Sequence, residues 1–228
     1  MTAKLIIERI KGLSISKGSS ETQKTSSLHE ADIMEIFTSS GANDSIHKEP
    51  FRNLFYKLTG KRFKDTDYSF KTDIVHTQIV NTEIEFDKPY IVHQPYGSQN
   101  YPDYVLFKIP SSKDAIFTTP IECKRINPNF NNTPPKKNDN CIYICGNTLF
   151  NGSLLRSDES IEKYNQFQMK YRELIDSINS DPEYDMHHVQ YKVTEFSGKN
   201  KPWPPKYFLG KEEENETLNL EKISYFMN

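Results

Sequence analysis

The stretch YPDYVLFKIPSSKDAIFTTPIECKRI, residues 101–126, consists of two apolar runs separated by a polar turn. The first run, 104–109, is almost continuously apolar, which is typical of a strand buried on both faces. Pro, Ser, Lys and Asp residues at 110–114 form a turn signal, and 115–126 returns as a second strand. The pattern predicts an antiparallel hairpin whose turn is remote from its charged end.

The segments around the hairpin alternate between helical and strand-like patterns. Apolar spacing predicts helices over 28–38 and about 45–58, the second of which ends at Gly60. Further strands are predicted within 72–86, at 90–92, at 141–145 and at 188–196, and a long helix is predicted from about 157 to just before 182. We therefore predict a single domain over residues 1–228 with an α/β (α+β) fold, in which helices flank a mixed central β-sheet.

The charge balance does not decide whether the partner is a nucleic acid. The chain of 228 residues has 29 Lys and Arg against 31 Asp and Glu, a net charge of −2. A strongly basic domain is the usual electrostatic footprint of nucleic-acid binding. Four glutamates at 212, 213, 214 and 216 account for the acidic sign, and local basic clusters occur at 61–64, 124–125 and 136–137.

Several classes of protein are excluded by what the sequence lacks. The apolar runs are far shorter than the roughly 20 residues that cross a bilayer, and residues 1–18 carry charges within their apolar stretch, unlike a signal peptide. Cys123, Cys141 and Cys145 are too few for a disulfide framework and lack a fourth zinc ligand. No P-loop, dinucleotide or zinc-protease motif occurs, and the six His show no metal-binding spacing. We expect a soluble cytoplasmic protein with no membrane partner.

Two carboxylates and one ammonium group converge at the charged end of the predicted hairpin. Asp103 begins the first strand, and Glu122 and Lys124 lie near the end of the second. The start of one antiparallel strand lies beside the end of its neighbour, and residues two apart share a face. Adjacent carboxylates repel each other unless a cation intervenes, and Mg²⁺ prefers such oxygen ligands. The pattern predicts a Mg²⁺ site, with Lys124 holding or deprotonating a water beside a phosphate.

This hairpin resembles the active-site hairpin of the PD-(D/E)xK nucleases, and especially that of the type II restriction endonucleases. The residues that carry the resemblance are NYPDYVLFKIPSS (100–112) and IECKRI (121–126), and the similarity continues into IYICGNTLF (142–150). The second acid is Glu, which occurs in this family as Asp does. The separation of Asp103 from Glu122 is somewhat longer than in the hairpin it resembles, which places extra residues in the turn.

The resemblance implies a restriction-endonuclease-like core and a set of roles. Asp103, Glu122 and the backbone carbonyl of Cys123 would bind Mg²⁺, and Lys124 would position the attacking water. An early helix often adds an acid in this family. Glu35 resembles that acid, and Glu30 lies one turn earlier, on what we expect to be the same face.

The implied activity is that of a homodimer in a restriction–modification system. It would cut a specific palindromic site in double-stranded DNA and leave 5′-phosphates.

Three polar segments are predicted to be mobile or to face DNA. Residues 14–27 form a predicted mobile segment, and two loops, 127–140 and 197–206, are predicted to face DNA. Amide and hydroxyl groups suit base edges, whereas lysines suit phosphates; the candidate contacts are Asn127, Asn129, Asn131, Asn132, Asn147, Thr148, Lys136, Lys137, Lys199 and Lys201. Alternatively, Trp203 in the second loop attaches the C-terminal arm to the core.

Two other functions remain open at this point. One is a repair or defence nuclease of the same superfamily without sequence specificity. The other is a non-catalytic DNA-binding or protein-interaction domain, in which Asp103, Glu122 and Lys124 form only a surface ion pair.

Overall fold

The computed structural model describes residues 2–14, 22–65, 70–74, 84–98, 100–112, 114–124, 140–154, 158–184 and 211–228. The helices are α1 (Thr2–Lys11), α2 (Thr22–Ser39), α3 (Lys48–Thr59), α4 (Asp158–Asn179) and α5 (Glu212–Met227). The strands are β1 (Lys71–Asp73), β2 (Tyr90–His93), β3 (Tyr104–Lys108), β4 (Ala115–Lys124), β5 (Ile142–Cys145) and β6 (Thr148–Asn151). Short 3₁₀ turns occupy Phe63–Asp65, Gly152–Leu154 and Pro182–Tyr184.

The strands form one mixed sheet in the order β2-β3-β4-β5-β6, and β1 pairs with the first residues of β4. The β4–β5 pair is parallel, and the other pairs are antiparallel. With helices on its faces, this sheet confirms the predicted mixed α/β (α+β) class. The β3–β4 hairpin also forms as predicted, with its turn at 110–114.

Strand β4 is the centre of the sheet, and nine of its ten residues are buried. One edge of β4 pairs with β3, while the other edge pairs first with β1 and then, from Ile121 onward, with β5. Pro120 lies between these two stretches, where its missing N–H breaks no ladder hydrogen bond on that edge. The strand therefore tolerates a proline in its interior.

Two apolar layers enclose the sheet. On one face, α1, α2 and α5 pack against alternate strand residues, including Ile91, Leu106 and Ile121. On the other face, α3 packs against the intervening residues, including Val92 and Val105. Each strand thus directs successive side chains into different layers, as the period of two requires.

The helix boundaries confirm some predictions and correct others. Helix α3 ends at Gly60, which adopts the left-handed conformation (φ 68°) and donates its N–H to the Tyr56 carbonyl, as the glycine signal predicts. Helix α2 begins at Thr22, so residues 22–27 of the segment predicted over 14–27 are helical, while their mobility stays a prediction. The rest of that prediction, 15–21, lies outside the described residues, as does the strand predicted at 188–196.

Helix α4 forms where it was predicted, and the apolar side chains described near its C-terminal end differ in burial. Ile175 is buried, whereas Leu174 is 56 % exposed and Tyr171 is also exposed. Helices α1 and α5 were not predicted. Among the described residues, no helix combines the length and the apolar character needed to cross a membrane.

A buried polar cluster fastens α5 to the sheet. The Lys222 ammonium donates to the side-chain and backbone oxygens of Asn140, at 2.9 and 3.2 Å. Asn151 of β6 bonds to Asn215 and Asn219 of α5, and Thr119 Oγ1 of β4 donates to the same Asn140 carbonyl at 3.0 Å. These bonds hold the chain in position just before β5.

Candidate active site

The register of the hairpin places Asp103 opposite Glu122. Tyr104 pairs with Ile121, so the next residues outward along the two strands are Asp103 and Glu122. Asp103 Oδ2 accepts the Cys123 backbone N–H at 2.7 Å, and the Asp103 N–H donates to Glu122 Oε2 at 3.3 Å. Side chains therefore continue the hydrogen bonding beyond the last regular pair of the ladder. This arrangement fixes both carboxyl groups at the end of the central hairpin.

Lys124 completes the group because it lies on the same face as Glu122. Its Nζ is 2.5 Å from Glu122 Oε1. The Glu122 side chain is 3 % exposed and that of Lys124 is 27 % exposed, so the ion pair is largely shielded from water. The structure thus brings together the three residues that the sequence analysis selected.

Burial makes the two carboxyl groups reluctant to ionise. For Glu122, burial first and the neighbouring Asp103 second raise the pKa to about 8, against the opposing effect of Lys124. For Asp103, burial raises the pKa, although Lys124 and the Cys123 N–H act in the other direction. Without a bound cation, we expect the pair to retain a proton at neutral pH, because two unscreened negative charges in one buried site repel each other.

Lys124 is expected to remain an ammonium. Burial alone lowers its pKa, but the ion pair and hydrogen bond with Glu122, together with Asp103, outweigh burial and leave the pKa above its ordinary value. A protonated amine donates hydrogen bonds and cannot accept a proton. The geometry therefore favours Lys124 as a group that holds a water, and disfavours the alternative in which it deprotonates one.

The Cys123 side chain and backbone face different surroundings. The thiol is buried in the layer formed with α1, α2 and α5, and burial raises its pKa, so it stays neutral. The backbone N–H points to Asp103. Because a strand residue directs its N–H and C=O to the same neighbour, the Cys123 carbonyl also lies on the Asp103 side. That is where the resemblance requires a carbonyl ligand.

Glu30 and His93 border the site from α2 and β2. Glu30 Oε2 is 3.4 Å from His93 Nε2, and the His93 ring stacks on Tyr104 with 5.0 Å between centroids. The Tyr104 hydroxyl donates to the Glu30 carbonyl at 2.7 Å. Among the smaller influences on Asp103, Glu30 raises its pKa and His93 lowers it, which reflects their proximity. These contacts give Glu30 a defined place beside the hairpin.

The expectation for Glu35 stays a prediction, and the structure adds Glu30 as a second candidate for the acid from α2. The Glu35 side chain is exposed, and Glu30 is the α2 acid that lies near Asp103. The two glutamates are five positions apart, which is about 140° around an α-helix, so they do not share a face. Sequence analysis treated His93 as one of six histidines without a metal pattern. The signal that would have identified it is its register, since it pairs directly with Tyr104.

Most of the predicted DNA contacts lie outside the described residues. This applies to Asn127, Asn129, Asn131, Asn132, Lys136, Lys137, Lys199 and Lys201, and to the loops that contain them. Asn147 and Thr148 are described and exposed, in the β5–β6 turn. They line a cavity of about 250 Å³ together with Glu212, Glu216 and Lys11. Lys11 pairs with Glu216 at 2.5 Å, so the charge of Glu212 remains and opposes a phosphate. Asn147 Nδ2 donates to the Lys11 carbonyl at 3.3 Å.

The donor set at the hairpin end fits Mg²⁺ with few protein ligands. Within the described ranges, no three His, Cys, Asp or Glu side chains form a group that would hold a metal on their own. Mg²⁺, however, is usually bound by one or two carboxylates, with waters and substrate phosphates in the other positions. Asp103, which is partly exposed, and Glu122, which is buried, provide two adjacent carboxyl groups whose repulsion a divalent cation would relieve.

Comparisons with protein-family models, with curated proteins and with solved structures found no match for this chain. Its function is therefore inferred from the geometry of the hairpin end and from the sequence resemblance of that hairpin.

Proposed function

We propose that this chain is a Mg²⁺-dependent type II restriction endonuclease that hydrolyses phosphodiester bonds at a specific palindromic site in double-stranded DNA. The observation that carries the proposal is the group Asp103, Glu122 and Lys124 on two adjacent strand ends. The sequence resemblance of the hairpin supports a restriction-endonuclease-like core. It also supports action as a homodimer and 5′-phosphate products.

In this proposal the carboxyl groups of Asp103 and Glu122, with the Cys123 carbonyl, hold Mg²⁺. The bound ion supplies positive charge that offsets the negative charge developing on the phosphate. The hydrogen bonds from the Cys123 and Asp103 N–H groups fix the orientation of both carboxylates before any ligand arrives. Such preorganisation is what makes electrostatic stabilisation effective in an enzyme.

Lys124 has a different task. Its ammonium is held by one oxygen of Glu122, and its side chain is 27 % exposed at the edge of the site. There it would donate hydrogen bonds to the attacking water and to a phosphate oxygen. The proton of that water would pass to solvent or to the substrate phosphate, because a protonated Lys124 cannot accept it.

Cleavage of both strands requires two copies of this site. A two-fold symmetric dimer presents the same surface twice, so each subunit would cut one strand of a two-fold symmetric DNA sequence. This part of the proposal follows from the resemblance and from the symmetry of a palindrome.

Incubation of the protein with Mg²⁺ and a long plasmid tests the proposal. We expect discrete fragments whose ends, after sequencing, share one palindromic sequence and carry 5′-phosphates. A continuous smear would indicate the non-specific nuclease instead. Intact DNA at every Mg²⁺ concentration would indicate the non-catalytic domain, provided that the protein is folded.

Separate substitution of Glu30 and of Glu35 in α2 distinguishes the roles of these two glutamates. We expect Glu30→Gln to lower the cleavage rate or raise the Mg²⁺ requirement by about 10–100-fold, the usual effect of removing a group that supports metal ligands. Glu35→Gln makes the same chemical change on an exposed part of the same helix, and we expect an unchanged rate. Rates measured against Mg²⁺ concentration check this. A larger effect of Glu35→Gln than of Glu30→Gln would identify Glu35 as the third acid.

A further inference from the structure

A cleft lined by several cationic side chains lies on the α3 side of the sheet, apart from the carboxyl groups. It has a volume of about 550 Å³ and is lined by Arg52, Asn53, Tyr56, Arg62, Phe63, Lys64 and Tyr96. Three of these residues are cationic and none is acidic, in a chain whose overall charge is −2. We call this feature the basic cleft. Its charge is therefore opposite in sign to that of the chain as a whole.

Two cations of the basic cleft, Arg62 and Lys64, lie beside a well-packed residue in the chain, Phe63. Phe63 is buried against the α3 rings, at 5.3 Å from Phe51 and 5.1 Å from Phe55 between centroids. Arg62 and Lys64 flank this anchored residue and are both exposed. Their main-chain positions are thus fixed while their charged groups reach solvent, which is the arrangement that gives a binding site its precision.

Arg52 is held more tightly than the other two. Its Nε donates to the Pro95 carbonyl, its guanidinium lies 5.2 Å from the centre of the Tyr96 ring, and one terminal nitrogen is 3.1 Å from Glu49. Glu49 is largely exposed and offsets part of this charge at the rim. Because an arginine presents five donors, these contacts leave N–H groups for a ligand such as phosphate.

The basic cleft is close to the candidate active site through the loop between β2 and β3. Gln94 N–H donates to the Asp103 carbonyl at 2.6 Å, and Tyr96 is only two residues from Gln94. Standard backbone dimensions then limit the Tyr96–Asp103 Cα distance to about 14 Å. That distance corresponds to about four base-pair steps of duplex DNA at 3.4 Å each. Tyr96, one of the residues that line the basic cleft, therefore lies within the span of one duplex from Asp103.

We propose that the basic cleft binds the sugar–phosphate backbone of the same duplex DNA, a few nucleotides from the bond that is cut. The inference rests on the proposed function for its choice of ligand. Arginine and lysine side chains, with an amide and the exposed Tyr56 nearby, are groups that contact DNA phosphates and fix the register of a protein on its duplex. Three cations that line one cleft of about 550 Å³ suit the anionic backbone of a strand.

The test compares two double variants that remove equal charge. Arg62→Ala with Lys64→Ala removes two exposed cations from the basic cleft. Arg172→Ala with Lys170→Ala removes two exposed cations from α4. The probe is a fluorescein-labelled duplex of about 30 base pairs, and anisotropy is measured in EDTA at several salt concentrations. Each phosphate contact contributes about 0.9 to the slope of log affinity against log salt concentration.

We expect the cleft variant to bind about tenfold more weakly and to reduce that slope by about two, while the α4 variant matches wild type. Equal affinity and slope in the two variants would overturn the inference, as would wild-type protein that does not bind the duplex. Because the assay contains no divalent metal, it is independent of cleavage. A reduced salt slope in the cleft variant, combined with wild-type protein that does not cleave DNA in Mg²⁺, would refute the proposed function and still support DNA binding by the basic cleft.

Discussion

Asp103→Asn and Lys124→Ala should each lower Mg²⁺-dependent cleavage by at least about 10³-fold, the scale of losing a preorganised charged group at a transition state. Asn retains an oxygen that accepts the Cys123 N–H, so the hairpin end should keep its shape while it loses a charged ligand. Removal of the Lys124 ammonium deletes the donor that orients the water. Single-turnover cleavage of a labelled duplex measures both effects.

Two exposed substitutions serve as controls for these variants. Asp73→Asn changes an exposed aspartate on β1, and Lys170→Ala removes an exposed lysine from α4. Both should cleave at the wild-type rate. The catalytic variants should still bind duplex DNA, since removing the negative charge of Asp103 weakens no attraction to phosphate. Folded Asp103→Asn or Lys124→Ala protein that cleaves normally would refute the site.

In the absence of metal, the protein should lose stability between about pH 5 and 8, and Glu122→Gln should remove most of that loss. The pKa of Glu122 is raised from 4.5 to about 8 in the folded chain, mainly by burial. The folded state therefore keeps a proton that the unfolded state has released. Stability from this group is complete below pH 4.5 and disappears as the pH rises through 8. Each pH unit in this window changes the folding equilibrium by about tenfold.

Urea unfolding of the metal-free protein at several pH values measures this effect. The raised pKa of Asp103 acts in the same direction, so a shallower slope should persist in Glu122→Gln. Glu173→Gln, at an exposed position of α4, should retain the full wild-type slope. Parallel profiles for wild type and Glu122→Gln would contradict the buried carboxyl pair.

Mg²⁺ should change the dependence of folding stability on pH in a way that an ordinary ion pair would not. A ligand that binds only the folded state stabilises it in proportion to its affinity, and a carboxylate must lose its proton before it binds a metal. Added Mg²⁺ should therefore stabilise the wild type more at pH 8 than at pH 6. Glu122→Gln should show little of this response. An identical response in both proteins would place the metal elsewhere.

The hairpin and its three polar residues were predictable because the information is local. A continuous apolar run, a Pro-Ser turn and a returning strand fix an antiparallel pair. The positions of Asp103 and Glu122 follow from the register of that pair. The class of fold was predictable for a similar reason, since helical and strand periods alternate along the chain.

His93 was missed, and Glu30 was named only as a neighbour of Glu35, because their places depend on contacts between distant segments. His93 reaches the site through the pairing of β2 with β3, and Glu30 reaches it through the packing of α2 on the sheet. Neither the pairing of β2 with β3 nor the rotation of α2 against the sheet is visible in one sequence. Helix α5 was missed for another reason: Asn215, Asn219 and Lys222 are buried among its apolar residues, so its polar and apolar positions do not separate. The regular repeat Ala3, Ile6, Ile7 and Ile10 in α1 was available and predicts that helix.

The parallel pairing of β4 with β5 has an evolutionary consequence. The chain leaves the sheet after Lys124 and re-enters at Ile142, beside Ile121, with Asn140 secured by Thr119 and Lys222. Both attachment points of the intervening stretch are thus set by the scaffold and not by the stretch itself. Under the proposed function, a change in the length or sequence of 125–139 would leave Asp103, Glu122 and Lys124 on their strand ends, so target preference could diversify while the proposed chemistry is retained.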